Sequence, residues 1–433
     1  MALTKVITGV TDLNQAQSTN GLKFPTGSVF AGTPEEGMIR NDQSQSSETS
    51  SSTMQFYNGT AWKNFVNKTP IPLGSDNFNT VLYTGNNGTQ SITGVGFQPD
   101  FTWIKARDNG SNNHALTDSV RGTGSGNGLS SNTTGAEGQY SAAYGYLSAF
   151  GTDGFTVQAG STSPNFVNSS SANYVSWSWK AGGAPTATNS AGAGNVPTSG
   201  SVMIDGVAST ATLAGSIAAT EISANTAAGF SIVSYTGNGS TSQTYGHGLD
   251  SIPEMIITKN TSGSEYWPVW NKDLTSVNYF LYLNTTDAEG DGVGTAFNSG
   301  ISSTLIGIGS SGLVNTSSQN YITYAFHSVA GYSKIGSYTG NGSTTGPTIV
   351  TGFEPAWVMV KRTDNTSAWN IQDNKRNTTN PRTSVLQASS SDQEYTSSTY
   401  AINFNTNDFQ IVNSDNGWNT SGGTYIYMAF AAT

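Results

Sequence analysis

The sequence predicts an all-β protein: three tandem β-sandwich modules, jelly-roll-like, preceded by a small N-terminal β-hairpin segment. The first observation is a repeat, since residues 235–240 and 338–343 both read YTGNGS and a looser copy begins at Tyr83. A repeat fixes the architecture that every other motif must fit. The second observation is that short apolar runs alternate with Gly, Asn and Ser turns, without the period of a helix. Two packed sheets bury strands of this kind.

Each copy continues in the same order. A proline follows the tyrosine, an apolar strand follows the proline, and a lysine closes that strand, at Lys105, Lys259 and Lys361. A loop of shared sequence comes next, at residues 129–137, 281–289 and 386–394, and each copy ends in an aromatic strand. In the last of these strands, alternation puts Tyr425, Tyr427 and Ala429 on one face and Ile426, Met428 and Phe430 on the other.

These landmarks divide the chain. Residues 1–70 form an N-terminal segment for attachment or oligomerisation, with a small hairpin domain packed on its neighbour as the alternative. Within it, Asn58-Gly59 between two apolar runs predicts a tight hairpin turn. Residues 71–181 are module 1, and residues 182–228 are a Gly/Ala/Ser-rich linker with a short hairpin allowed at 201–207. Residues 229–330 are module 2, and residues 331–433 are module 3.

Composition excludes several functions. The chain has 433 residues and a net charge of −10, without a cluster of Lys and Arg, so nucleic acid is not an expected partner. The absence of cysteine excludes disulfides and cysteine-bound metals. No apolar run is long enough to cross a membrane, and residues 1–9 lack the pattern of a signal peptide, so we expect neither membrane insertion nor ordinary export.

Catalytic motifs are weak. Two acid pairs recur at matching positions of modules 1 and 3: Asp118 with Glu137, and Asp373 with Glu394. A glycosidase needs two carboxylates across a cleft, but these acids can equally pair with Arg121 and Arg376. The histidines form no known catalytic or metal-binding motif, and the acidic run at 287–292 lacks the spacing of a calcium loop. We therefore predict no enzyme, no metal and no cofactor.

Several runs resemble a known family. Residues 222–238, 331–342 and 353–362 are similar to the repeated lectin-like β-sandwich modules of tail-fibre and other virion proteins of tailed bacteriophages, notably marine ones. Residues 34–41 and 56–63 look like a short segment common near the start of phage fibres. The resemblance covers nearly the whole chain except about 182–215, and it implies a virion component.

The resemblance sets the expected function. We predict a phage virion structural protein, either a tail fibre or a capsid fibre or decoration protein, which presents lectin-like modules for host attachment. The alternatives are a tailspike-like polysaccharide depolymerase and a capsid decoration protein without a ligand. The expected partners are other virion proteins, bound through residues 1–70, a host cell-surface glycan, and two further copies in a homotrimer. The expected location is the virion surface, after synthesis in the host cytoplasm.

Aromatic and charged residues suggest where a glycan would bind. The loop at 362–384 of module 3 holds Trp369, Asp373, Lys375 and Arg376, and the corresponding loop of module 2 holds Trp267 and Trp270. A tryptophan face stacks on the apolar side of a sugar ring, and charged groups bind its hydroxyls. The alternative is that these residues brace one module against the next. If they bind a ligand, replacing Trp369 and Arg376 by Ala weakens attachment and leaves the thermal transition nearly unchanged.

Overall fold

A computed structural model describes residues 39–42, 53–57, 60, 62–64, 74–138, 142–162, 165–190 and 196–431. The chain separates into two compact units, Met1–Pro70 and Ile71–Thr433. Strands hold 40% of the residues and helix 3%, so the all-β prediction is confirmed. Within the described residues, the helical pieces are one short helix, α1 (Gly74–Asn77), and 3-10 turns at Ala142–Tyr144 and Ser398–Tyr400.

The first unit contains a three-stranded antiparallel sheet of β1 (Ile39–Asp42), β2 (Thr53–Tyr57) and β3 (Trp62–Asn64). Strands β2 and β3 pair as a hairpin, but Tyr57 lies opposite Trp62, whereas a two-residue turn at Asn58-Gly59 would place it opposite Thr60. Asn58 and Gly59 lie outside the described residues, as do residues 1–38.

Module 1 folds as two facing sheets. The larger has the order β4-β10-β6-β7 and the smaller β5-β9-β8. Ile92 and Phe155 of the smaller sheet share a core with Ile104 and Tyr174 of the larger one. The strands are β4 (Phe78–Thr84), β5 (Thr89–Thr93), β6 (Phe101–Ala106), β7 (Ala115–Asp118), β8 (Tyr146–Gly151), β9 (Gly154–Gln158) and β10 (Asn173–Trp179).

Module 2 has a small sheet, β15-β20, and a larger one of order β12-β11-β13-β14-β21-β16-β17-β18-β19. Residues before 229 supply three of these strands, with β11 and β12 as a hairpin, so this sheet begins within the predicted linker. The strands are β11 (Val202–Ile204), β12 (Val207–Ala208), β13 (Ala219–Asn225), β14 (Phe230–Thr236), β15 (Gln243–Gly246), β16 (Met255–Asn260), β17 (Pro268–Asn271), β18 (Tyr279–Tyr282), β19 (Gly290–Asp291), β20 (Leu305–Ile308) and β21 (Asn320–Phe326).

Module 3 repeats the plan, with a larger sheet of order β22-β30-β24-β25-β26-β27 and a smaller one of order β23-β29-β28. The strands are β22 (Ser333–Thr339), β23 (Thr348–Val350), β24 (Pro355–Arg362), β25 (Asn370–Asp373), β26 (Ser384–Gln387), β27 (Tyr395–Thr396), β28 (Ile402–Asn405), β29 (Asp408–Ile411) and β30 (Thr424–Ala431).

The larger sheets are buried on both faces. Along β30, Tyr425, Tyr427 and Ala429 lie in the core between the two sheets of module 3. The alternate residues, Ile426, Met428 and Phe430, lie in a second core that draws side chains from all three modules. The predicted alternation is therefore correct. At equivalent positions of the three last strands, Trp179 lies 5.7 Å and Phe326 6.2 Å from Phe430 between ring centroids.

Three equivalent contacts interlock the modules. The loops of shared sequence, which we call the sealing loops, are residues 129–137, 281–289 and 386–394. Each sealing loop ends in a glutamate, whose backbone N–H donates a hydrogen bond to a carbonyl of another module. That carbonyl belongs to the residue just after the strand that contains the repeat lysine. These bonds are Glu137 to Thr261 (2.9 Å), Glu289 to Thr363 (2.8 Å) and Glu394 to Arg107 (2.7 Å).

The three contacts run in the same direction around the molecule, so the modules form a closed ring. Module 2 holds the sealing loop of module 1, module 3 holds that of module 2, and module 1 holds that of module 3. Equivalent features of the modules are therefore related by an approximate threefold axis, as in a cyclic trimer. The modules therefore form a closed ring and not a linear series, because modules 1 and 3 are in direct contact.

Candidate functional site

The repeated YTGNGS motif has a structural role. In module 2, the side-chain oxygen of buried Asn315 accepts the Asn238 backbone N–H at 2.8 Å, and its amide donates to the Ser240 carbonyl at 2.7 Å. Asn168 and Asn419 hold the matching turns of modules 1 and 3. A Cβ on Gly237 would lie 2.4 Å from the Thr316 carbonyl oxygen, so the turn requires glycine. The motif thus fixes three equivalent exposed turns around the ring.

An open groove lies beside the module 2 turn. It has a volume of about 310 Å³ and no charged residue in its lining, which is Ser216, Ile217, Ala218, Thr236, Gly237, Asn238, Ser317 and Ser318. Ser317 and Ser318 are exposed. Residues 216–218 form one wall, and they belong to the 182–228 segment, which modules 1 and 3 lack. The groove offers neutral polar groups to a hydroxyl-rich ligand.

Sequence analysis missed this groove. The signal that could have located the groove is the break in the repeat before module 2. The extra segment there supplies one wall of the groove, beside a turn that all three modules share. Serine, alanine and glycine carry no distinctive chemistry in a sequence, so only their placement together makes a site.

The structure places the predicted tryptophans in cores. Trp267 and Trp369 are buried, and their indole N–H groups donate across module interfaces to carbonyls of neighbouring sealing loops, Thr133 at 3.1 Å and Tyr282 at 2.8 Å. His114 fills the same place in module 1. Trp270 lies in the core of module 2. None of the three indole faces is accessible for stacking on a sugar. The contacts of Trp267 and Trp369 match the alternative that they brace one module against the next, whereas Trp270 packs within its own module.

Lys375 is exposed, but the other charged residues of the predicted site, Asp373 and Arg376, form buried hydrogen bonds and ion pairs. Arg376 donates to Asp373 at 2.5 Å and to Glu394 at 3.1 Å, and Asp373 accepts the Trp177 indole N–H of module 1 at 3.0 Å. Burial alone raises the pKa of Asp373, but the charge and N–H groups of Arg376 outweigh burial and hold that pKa below its ordinary value. This network joins modules 1 and 3.

The candidate catalytic acids are bridged by arginine. In module 1, Arg121 lies 2.6 Å from Asp118 and 3.0 Å from Glu137, which repeats the arrangement at Arg376. By register, Asn271 and Leu274 hold the corresponding positions of module 2. The guanidinium contacts both acids and occupies the position between them that a sugar would need. This is the pairing that the sequence analysis offered as the alternative to a glycosidase.

Histidines, metal ligands and membrane-spanning helices are further possible sources of function. Burial lowers the pKa of His114 to about 3 and that of His247 to about 4, so both are neutral at pH 7. Among the residues that the structure describes, no group of three or more His, Asp and Glu side chains is placed to hold a metal ion. Within the same residues, no helix is long and apolar enough to span a bilayer.

Each module buries the lysine of its repeat at the interface. The ammonium group of Lys259 donates to the Thr134 carbonyl at 3.0 Å, and that of Lys361 to the Thr286 carbonyl at 3.3 Å, both in the neighbour's sealing loop. Lys105 donates to its own module, to the Ala106 carbonyl. Burial lowers the pKa of Lys361 to about 7 and those of Lys105 and Lys259 to about 8.

These lysines predict a pH dependence of stability. Because their pKa values are lower in the folded chain, unfolding takes up protons between about pH 7 and pH 10. The free energy of unfolding is therefore expected to rise from pH 7 to about pH 9.5, by about 1 kcal/mol per pH unit for each lysine in full titration. Urea unfolding across this range measures the slope.

Two lysine variants make the comparison specific. Lys361→Met should make the rise smaller but not abolish it, because Lys105 and Lys259 still contribute, whereas Lys375→Met, at an exposed lysine, should leave it unchanged. A free energy of unfolding that falls between pH 7 and pH 9.5 would contradict the assignment.

A family profile matches the chain in two overlapping regions. No curated protein and no solved structure matches the chain. The profile of DUF7483, described as a domain of unknown function, matches residues 73–206 and 202–433. The second match begins where strand β11 joins the sheet of module 2, and the two matches together span the modules of the ring. The chain therefore belongs to the DUF7483 family.

Proposed function

We propose that the chain is a non-enzymatic phage virion surface protein, a tail fibre or a capsid fibre or decoration protein, whose module ring displays binding loops to the host. Two observations support the proposal. The runs at 222–238, 331–342 and 353–362 resemble modules of phage virion proteins, and the candidate catalytic acids are bridged by Arg121 and Arg376. The second observation disfavours a polysaccharide depolymerase.

The closed ring carries this proposal. Interlocking bonds at three equivalent interfaces hold the modules at fixed relative positions, and each module presents the same exposed turn. Equivalent surfaces at fixed spacing let contacts that are individually weak act together on a surface with repeated ligands. One chain thus provides the threefold display that homotrimeric fibres obtain from three chains.

The partners in this proposal are a neutral host-surface glycan, bound in the groove beside Ser317, and other virion proteins, bound through residues 1–70. A homotrimer remains part of the proposal and would cluster three rings. Deleting residues 1–70 should then leave a ring that no longer joins particles.

The test of function is the position of the protein on the particle and its action on host polysaccharide. Gold-labelled antibodies against the ring are expected to decorate intact virions in electron micrographs. Purified protein is expected to bind host cells without releasing new reducing ends from their polysaccharide. Unlabelled virions would refute the virion assignment, and steady product release would assign a depolymerase instead.

The groove gives a paired prediction. Ser317→Trp places a large side chain in the groove and is expected to weaken binding to host cells about tenfold or more. Ser421 is the equivalent residue of module 3, where none of the described residues forms a wall like that of 216–218, so Ser421→Trp is expected to bind as the unmodified chain does. Titration of labelled protein onto cells measures both. Equal effects of the two variants would remove the groove from the proposal.

A further inference from the structure

The outermost strands of the three small sheets are equivalent but differ in their neighbours. These strands are β5, β15 and β23, in which Ile92, Tyr245 and Ile349 occupy matching positions opposite Phe155, Ile306 and Phe409. In an antiparallel pair, alternate residues point their backbone N–H and C=O groups away from the partner strand. Such outward groups on an edge strand can pair with a further strand.

In module 2 a further segment covers this edge. The Thr244 carbonyl accepts the N–H groups of Ser216 and Ile217, each at 2.9 Å, and the Thr244 N–H donates to the Ser216 hydroxyl at 2.9 Å. Gly215 bridges to Tyr245, and a Cβ there would lie 2.6 Å from the Thr244 carbonyl oxygen. The covering segment, residues 213–217, is uncharged and reads LAGSI. It shows what kind of chain fits this edge.

In module 3 the equivalent edge is open. The Ile411 N–H donates to the Pro347 carbonyl and the Thr351 N–H to the Asn407 carbonyl, which sets the register of the β23–β29 pair. In that register the backbone groups of Thr348 and Val350 point away from β29, and they bond to no residue that the structure describes. The side chain of Val350 is 68% exposed. Unpaired backbone groups and an apolar side chain therefore lie together on this edge.

We propose that strand β23 binds an extended, uncharged segment of another polypeptide by strand addition, in the manner of residues 213–217 on β15. The proposal goes beyond the host-binding function and does not depend on it. The segment should carry a glycine flanked by small residues, because Gly215 is where the chains approach most closely. Its apolar residues would cover Val350. Strand β5 is the poorer edge, since its exposed positions are Thr89, Ser91 and Thr93.

A synthetic peptide with the sequence of residues 211–219, ATLAGSIAA, is the probe. Mixed with the full chain, it is expected to slow deuterium exchange of the Thr348 and Val350 amides and not of the Thr244 amide, whose edge is already covered. The same peptide with proline in place of its glycine should give no protection. Absence of protection by the unmodified peptide, or equal protection by both peptides, would overturn the proposal.

Variants at Val350 test the mode of binding. Val350→Pro removes one outward N–H and is expected to weaken peptide binding at least tenfold, whereas Val350→Thr keeps the N–H and should retain most of it. If Val350→Pro lowers the thermal midpoint, Val350→Lys replaces it, because a charge on the edge opposes an uncharged strand. Unchanged binding by the variant used would overturn strand addition. A dimer that grows with concentration and excludes the peptide would assign the edge to a second copy.

Discussion

Replacing Asp373 by Ala is expected to lower the free energy of unfolding by about 3–5 kcal/mol, the usual cost of removing one partner from a buried ion pair. The side chains of Asp373 and Arg376 are fully buried. The variant leaves Glu394 as the remaining acid beside the Arg376 guanidinium, and it leaves the Trp177 indole N–H without its acceptor. Urea unfolding at pH 7 measures the loss. A change below about 1 kcal/mol would contradict this role of the pair.

Module 2 supplies a matched control for this experiment. It carries Asn271 and Leu274 where module 3 carries Asp373 and Arg376, so the double variant Asp373→Asn/Arg376→Leu copies a pair that the fold already tolerates. We expect the double variant to be more stable than Asp373→Ala, because it leaves no buried charge unpaired. Lys375→Ala, at the exposed residue between them, should change stability by less than about 0.5 kcal/mol.

The same network changes the expected outcome for Trp369 and Arg376. If both bind a ligand, their replacement by Ala leaves the thermal transition nearly unchanged. The structure buries both side chains at module interfaces, so the double variant should instead lower the thermal midpoint strongly. Any loss of host attachment would then follow from the loss of folded protein.

The second large effect is expected at Trp357. Its ring lies 5.7 Å from Trp179, 5.8 Å from Phe430 and 6.2 Å from Phe78, so it joins modules 1 and 3 in the shared core. Trp357→Ala should lower the free energy of unfolding by about 3–5 kcal/mol, the range for large-to-small changes in cores. Because the core is common to all modules, residues 71–433 should still unfold in one calorimetric transition, at a lower temperature.

An exposed valine supplies the control for Trp357→Ala. Val207→Ala, at a side chain that is 68% exposed, should leave the transition within the error of the measurement. If Trp357→Ala lowers the transition of one module and leaves a separate transition at the original temperature, the modules are independent and the ring is not a cooperative unit.

The sequence by itself determined the local structure. The YTGNGS repeat, the prolines and the aromatic closing strands located the modules, and alternation assigned the two faces of β30 correctly. These features depend on contacts within one module, where turn chemistry and side-chain period act over a few residues. The pairing of the acids with Arg121 and Arg376 was also open to prediction, because acid and base recur at the same spacing.

Only the tertiary structure decided which surfaces remain free. An apolar strand face must be buried, but its sequence does not say whether the cover is the module's second sheet or another module, since both remove the same area from water. Trp267 and Trp369 suit a glycan site equally well in sequence, and they are buried only because the ring places a sealing loop over each. The groove at Ser317 and the open edge at Val350 depend on residues 213–218, which reach module 2, whereas none of the residues that the structure describes covers the equivalent edge of module 3.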